Sequence, residues 1–113
     1  IQTVLGLVEP QSSGIGGGAF LVWYDAATGK VTTFDGRETA PKTATPELFL
    51  GTDGKPLKFF DAVVGGRSVG TPGVVHLLAE VHARYGKRDW ASLFQPAIDL
   101  AQAGFAVSPR LAA

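Results

Sequence analysis

The sequence predicts an α+β fold, a β-hairpin joined to several helices, and three observations carry that expectation. Ala19 to Asp25 (AFLVWYD) is a near-continuous apolar run, and Ala26-Ala27-Thr28-Gly29 separates it from Lys30 to Asp35, which is rich in β-branched residues. Strand, turn and returning strand is the simplest reading of that pattern. Val74, Leu77, Leu78, Val81 and Tyr85 recur at the spacing of one helix face. The 15 glycines and 7 prolines fall as punctuation between apolar segments, so the connections are tight. A chain that is 45% apolar and 18% charged has the composition of a packed interior. The expectation is one compact unit over residues 1–113 with no internal boundary.

Each element has its own local reason. Ile1 to Val8 is mostly apolar and is stopped by Glu9-Pro10, which predicts the end of a buried helix. Ser12 to Gly18 (SSGIGGG) is a loop whose glycines allow close approach of another backbone. The apolar run at 19–25 predicts a strand covered on both faces, and Gly29 sits where a hairpin turn often needs a left-handed residue. Thr45-Pro46-Glu47 offers a cap, a first-turn proline and a first-turn acid, predicting a short helix through Phe49. Asp53-Gly54 marks a turn. Thr71-Pro72 repeats the helix-start signal before the Val74 face, Gly86 is the stop, and Arg84, Lys87 and Arg88 crowd the helix end favoured by cations. Asp89 predicts a cap for a helical stretch containing Leu93, Ala97, Ile98 and Ala101, which Pro96 splits or kinks and Gly104 ends. Ser108-Pro109 opens one more helix. Helical patterns at both ends, with no Met in the chain, read as a segment of a longer protein.

Charge and composition narrow the function classes. Ten basic and ten acidic side chains leave no electrostatic footprint for nucleic acid. No apolar run reaches the ~20 residues of a spanning helix, so no membrane contact is expected from this segment. With no Cys there is no thiolate metal site and no cysteine nucleophile, and the two histidines are too few for an all-histidine zinc site. His76 and His82 lie on different faces of one helix and lack the i, i+4 relation of a helical metal pair. No metal and no cofactor is expected.

Three stretches invite chemistry. Gly66-Arg67-Ser68-Val69-Gly70 matches G-x-S-x-G, the nucleophile elbow of serine α/β-hydrolases. The helix start at Thr71-Pro72 falls late for an elbow, and both histidines lie on the helix that follows, so a glycine loop entering a helix is the plainer account of Ser68. The glycines at 14–18 lack the strand before and helix after that a phosphate loop needs. Arg37, in Asp35-Gly36-Arg37-Glu38-Thr39-Ala40-Pro41, is either a surface ion pair between acids or a guanidinium facing a pocket at the exit of a buried strand. In the second role it would grip a carboxylate through two parallel hydrogen bonds.

Read together, these stretches resemble the γ-glutamyltransferase (γ-glutamyltranspeptidase) family. Pro10-Gln11-Ser12-Ser13-Gly14-Ile15-Gly16-Gly17-Gly18, the strand pair, Asp35 to Pro41, Gly70-Thr71-Pro72-Gly73, Gln95-Pro96-Ala97 and Gly104-Phe105 with Val107-Ser108 occur in the family's order across the whole chain. The resemblance implies a partial Ntn-hydrolase (αββα) fold and a place in the large subunit of a self-cleaving precursor. It implies a Thr nucleophile at the head of the small subunit, outside this stretch, which takes the γ-glutamyl group from glutathione or a related donor to water, an amino acid or a peptide. The implied partners are a small-molecule γ-glutamyl donor and the protein's own small subunit. The implied site residue is Arg37, binding the donor's α-carboxylate, with Glu38 as an orienting neighbour or a solvated charge. The family suggests a periplasmic, secreted or cell-surface setting. The rival expectations are a serine α/β-hydrolase segment using Ser68 and a non-catalytic homologue. With one binding residue and no nucleophile, this segment alone is expected to be inactive.

Overall fold

The computed structural model describes residues 1–112. Its centre is the hairpin of β1 (Ala19–Asp25) and β2 (Lys30–Gly36), antiparallel in the register Ala19↔Gly36 to Asp25↔Lys30. Gly29 closes the turn at φ +68°, the left-handed conformation expected of it. The Asp25 carboxylate holds the turn from below, accepting from the Ala27 amide (2.9 Å) and the Thr28 hydroxyl (2.9 Å).

One face of the hairpin is layered on α3 (Val74–Tyr85), the helix with the clearest apolar stripe. Its Val74, Leu77 and Val81 are buried. Tyr85 stacks on Trp23 with ring centroids 4.5 Å apart and meets Phe34 edge-on at 6.2 Å. The Arg84 guanidinium lies 5.3 Å from the centre of the Phe34 ring. Helix α1 (Gln2–Val8) packs against α4 (Gln95–Ala103), where Ala97 is buried. Pro96 sits in the first turn of α4, dividing it from a 3-10 turn at Ala91–Phe94, so it splits the helical stretch as its sequence position suggests. Asp89 caps that turn, its carboxylate accepting from the Ser92 amide at 3.0 Å. Gly104 ends α4 at φ +81°, and Ser108 caps the short α5 (Pro109–Ala112). Among the described residues no helix is long and apolar enough to cross a membrane.

Several expectations are corrected. The strand at 19–25 is covered on one face only: Phe20, Val22 and Tyr24 are 68%, 69% and 61% exposed, because this chain brings two strands and one helix layer to the hairpin. The same shortage opens the whole segment, whose radius of gyration is 18.4 Å against about 13 Å for a compact domain of this length. Helix α1 holds no fully buried residue. Residues 45–49 form successive turns, with the Leu48 amide bonding Thr45 O and the Leu50 amide bonding Glu47 O, and no helix. A helix there would have to nucleate within a few residues before Gly51, and nucleation is the costly step. The short helix α2 (Phe59–Val63) has no side-chain cap and was not signalled. Gly86 does stop α3, but at φ −63°, an ordinary value. Glycine is needed there because a Cβ would fall on the His82 ring, which bonds the Arg88 carbonyl at 2.8 Å.

Candidate substrate-binding site

The chain changes character where β2 ends. Gly36, Arg37 and Glu38 leave the strand between two other segments, and the meeting is of backbone on backbone. The Gly17 carbonyl accepts from the amides of Gly73 (3.0 Å) and Val74 (3.1 Å), tying the glycine loop to the start of α3. Thr39 and Thr71 form a two-way bridge, amide to carbonyl at 3.2 and 2.8 Å. A Cβ on Gly18 would lie 2.5 Å from the Arg37 Cα and 2.6 Å from the Glu38 nitrogen. A Cβ on Gly73 would fall on the Gly36 carbonyl oxygen and lie 2.9 Å from that of Arg37. At Gly70 the nearest atoms are the Glu38 Cγ and the Thr39 carbonyl oxygen, each 3.1 Å away. Side-chain-free residues are therefore a condition of this meeting point at positions 18 and 73; within the SSGIGGG run the close packing falls on Gly18 alone, and a Cβ on Gly14, Gly16 or Gly17 would meet nothing within 4 Å. The run follows α1 and precedes β1, the reverse of a phosphate loop.

Arg37 rises from this base. Its amide donates to the Asp35 carboxylate at 2.9 Å. Its side chain is 57% exposed, and Nη2 lies 3.3 Å from Glu38 Oε1. The other carboxylate oxygen of Glu38, Oε2, is buried against Gly18 and has no hydrogen-bond partner among the described residues. Beside Glu38 a cavity of about 180 Å³ opens between Thr39, Leu48, Phe49, Arg67 and Ser68. Arg37 thus combines a fixed main chain with a guanidinium that retains free donors, a combination suited to holding a carboxylate.

Ser68 is placed otherwise. It lies in a 3-10 turn (Gly66–Ser68), and its hydroxyl donates to the Val63 carbonyl at 2.8 Å. Helix α3 begins only at Val74, so Ser68 is not at a strand-to-helix bend. His82 faces Trp90 and the Arg88 carbonyl, and His76 is exposed on α3. Neither histidine is hydrogen-bonded to Ser68 among the described residues.

Sequence reasoning singled out Arg37 and expected close backbone approach at the glycine loop, which the structure shows at Gly18. It missed that the loop packs on Arg37 itself and that Gly73 presses on the same residue. The only available signal was the presence of glycine in all three stretches, 14–18, 36 and 70–73.

The hairpin layered on helices and the glycine-lined strand exit belong to the Ntn-hydrolase class of α+β folds. The structure superimposes on the gamma-glutamyltranspeptidase of Pseudomonas nitroreducens, solved in complex with L-DON, at a TM-score of 0.89 and 38% identity, covering 98% of this chain and 32% of that one. The Bacillus anthracis transpeptidase enzyme CapD matches at a TM-score of 0.69 and 32% identity, over 97% of this chain and 30% of that one. In sequence, the glutathione hydrolase proenzyme of Bacillus subtilis (strain 168) is 43% identical over 112 residues, which is 99% of this chain and 19% of the relative. The family model described as Gamma-glutamyltranspeptidase matches residues 1–113. The chain belongs to the gamma-glutamyltranspeptidase family. It spans about a fifth of the length of the curated relatives it matches.

Proposed function

We propose that this chain is a segment of the large subunit of a glutathione-hydrolysing γ-glutamyltransferase, and that Arg37 binds the α-carboxylate of the γ-glutamyl donor. The observation that carries the reading is the mounting of Arg37: a main chain gripped by Gly18 and Gly73 beneath a side chain that is 57% exposed. An ordinary surface ion pair does not call for a backbone fitted so closely. Glu38 Oε1 at 3.3 Å orients the guanidinium and leaves further N–H donors for a substrate.

In this reading the segment binds and the chemistry occurs elsewhere. The N-terminal Thr of a small subunit, released by self-cleavage, attacks the γ-carbonyl of the donor, its own amine taking the hydroxyl proton. The amine of the leaving group is protonated as the C–N bond breaks, giving an acyl-enzyme that water or an acceptor amine resolves. Arg37 fixes the far end of the glutamyl group so that the γ-carbonyl meets the nucleophile in register. The proenzyme designation of the Bacillus subtilis relative supports the two-subunit reading.

The test is Arg37→Ala in the full-length, self-processed protein. Stripping a desolvated carboxylate of its partner costs about 2–5 kcal/mol, so kcat/KM for γ-glutamyl donors is expected to fall roughly 30-fold to several thousand-fold. Arg37→Lys recovers part of this, because an ammonium lacks the planar fork. Self-cleavage, which needs no donor, survives in both. Equal losses for donors with and without the α-carboxylate would refute the role.

A further inference from the structure

We propose that Gly18 is a positioning residue for Arg37, setting where the guanidinium meets the donor's carboxylate; this rests on the reading of Arg37 just given. The Arg37 backbone is bounded on three sides, by a hydrogen bond at its N–H and by the close approach of two glycines. The N–H is taken by the Asp35 carboxylate at 2.9 Å, the carbonyl oxygen faces Gly73, and the Cα lies against Gly18. The side chain has no comparable restraint, since among the described residues its one ionic contact is Glu38 at 3.3 Å. A long side chain with one contact inherits its precision from its Cα. A Cβ at residue 18 would meet that Cα and also Glu38 Oε2, so residue 18 bears on the base of the guanidinium's side chain and on its orienting partner together.

The geometry sets the size of the effect. A Cβ at residue 18 would start 2.5 Å from the Arg37 Cα, where carbon atoms settle about 3.5–4.0 Å apart. Backbone faces backbone, so no flexible side-chain tip can move aside, and the strand exit must retreat by about 1 Å. Misplacement on that scale costs a binding group on the order of 100-fold.

The experiment is a double-mutant cycle in the full-length, self-processed protein, comparing γ-glutamyl donors with donors that lack the α-carboxylate. Gly18→Ala is expected to lower kcat/KM for carboxylate-bearing donors about 10- to 100-fold, chiefly by raising KM, with little change for the truncated donors. In Arg37→Ala the same glycine substitution should cost nothing further, because the group it positions is gone. If Arg37→Ala shows the carboxylate-selective loss while Gly18→Ala lowers both donor classes alike, or adds its full loss on top of Arg37→Ala, Gly18 is a folding residue and the positioning role is wrong. If Arg37→Ala shows no selectivity, the reading of Arg37 falls and takes this inference with it. Should Gly18→Ala not fold or self-process, Gly70→Ala decides in the same cycle. Its Cβ would meet Glu38 Cγ at 3.1 Å, a crowding of a few tenths of an ångström, and a smaller loss with the same selectivity is expected. An unselective or additive loss in that variant overturns the proposal equally.

Discussion

The two ends of the hairpin are built on different principles. At the turn end, side chains do the holding: the Asp25 carboxylate gathers the Ala27 amide and the Thr28 hydroxyl, and further along the strands Trp23 and Phe34 rest on Tyr85. At the exit end, Gly17, Gly18, Gly36, Gly70 and Gly73 bring three stretches of main chain together, with Gly36 set directly over Leu77. Side chains can repack around a change, but a carbonyl lodged against a Cα cannot. The difference teaches what the exit offers Arg37, the residue proposed to bind the donor: a main-chain joint has fewer ways to relax, so what is mounted on it keeps its place.

The comparison can be broken at either end. The largest loss is expected from Gly73→Ala, whose Cβ would fall on the Gly36 carbonyl oxygen. Overpacking of this kind costs about 3 kcal/mol, and denaturant unfolding of the full-length protein should show it as a clear drop in midpoint. A stability within a few tenths of wild type would mean that the joint yields, and the contrast between the ends would vanish. Trp23→Ala is next. It removes the stack on Tyr85 from a half-buried position, and about 2 kcal/mol is expected, softened because the indole N–H has no hydrogen-bond partner to lose among the described residues. Donor affinity should not follow that loss; a matching rise in KM would show that the middle of the hairpin also positions Arg37.

The smallest effect belongs to the turn, and it depends on pH. The Thr28 hydroxyl, followed by the Ala27 amide, holds the Asp25 carboxyl below the usual carboxylate range. A carboxyl with a depressed folded pKa contributes stability that is complete above its unfolded value, about 3.9, and is lost as pH falls through the folded value. Asp25→Asn should therefore differ little from wild type once both are acidified through the folded value, and show its deficit only at higher pH. NMR of the turn amides across that range gives the check, and a deficit that grows on acidification would contradict the assignment.

How much of this was legible in the sequence follows the same division. The hairpin, α3, the Asp89 cap and the Gly104 stop all answer to local signals: a repeating pattern, a cap, a left-handed glycine. Residues 45–49 carried an equally good local signal, Thr-Pro-Glu, and still folded as turns, because too few residues precede Gly51 for a helix to propagate. The open outer face of β1 was illegible in another way. An apolar run reports that a surface is to be covered without saying which chain segment covers it. At the site, Arg37 stood out through the residues around it and the family resemblance. The grip of Gly18 and Gly73 on it could not be read, since glycine announces permission to approach and leaves the neighbour unnamed.

The joint also has a place in time. The hairpin links residues that are near neighbours in sequence, and such pairs close in about 1–10 μs. The hydrogen bonds of the Gly17 carbonyl with the Gly73 and Val74 amides wait for the long excursion between β2 and α3, most of which is turns and exposed side chains. Loop closure across such a stretch must be met before any contact rewards it. On a growing chain the strands around Arg37 can therefore zip together before Gly73 has been synthesised. The arginine gains its Gly18 neighbour early, with the hairpin, and its Gly73 neighbour late.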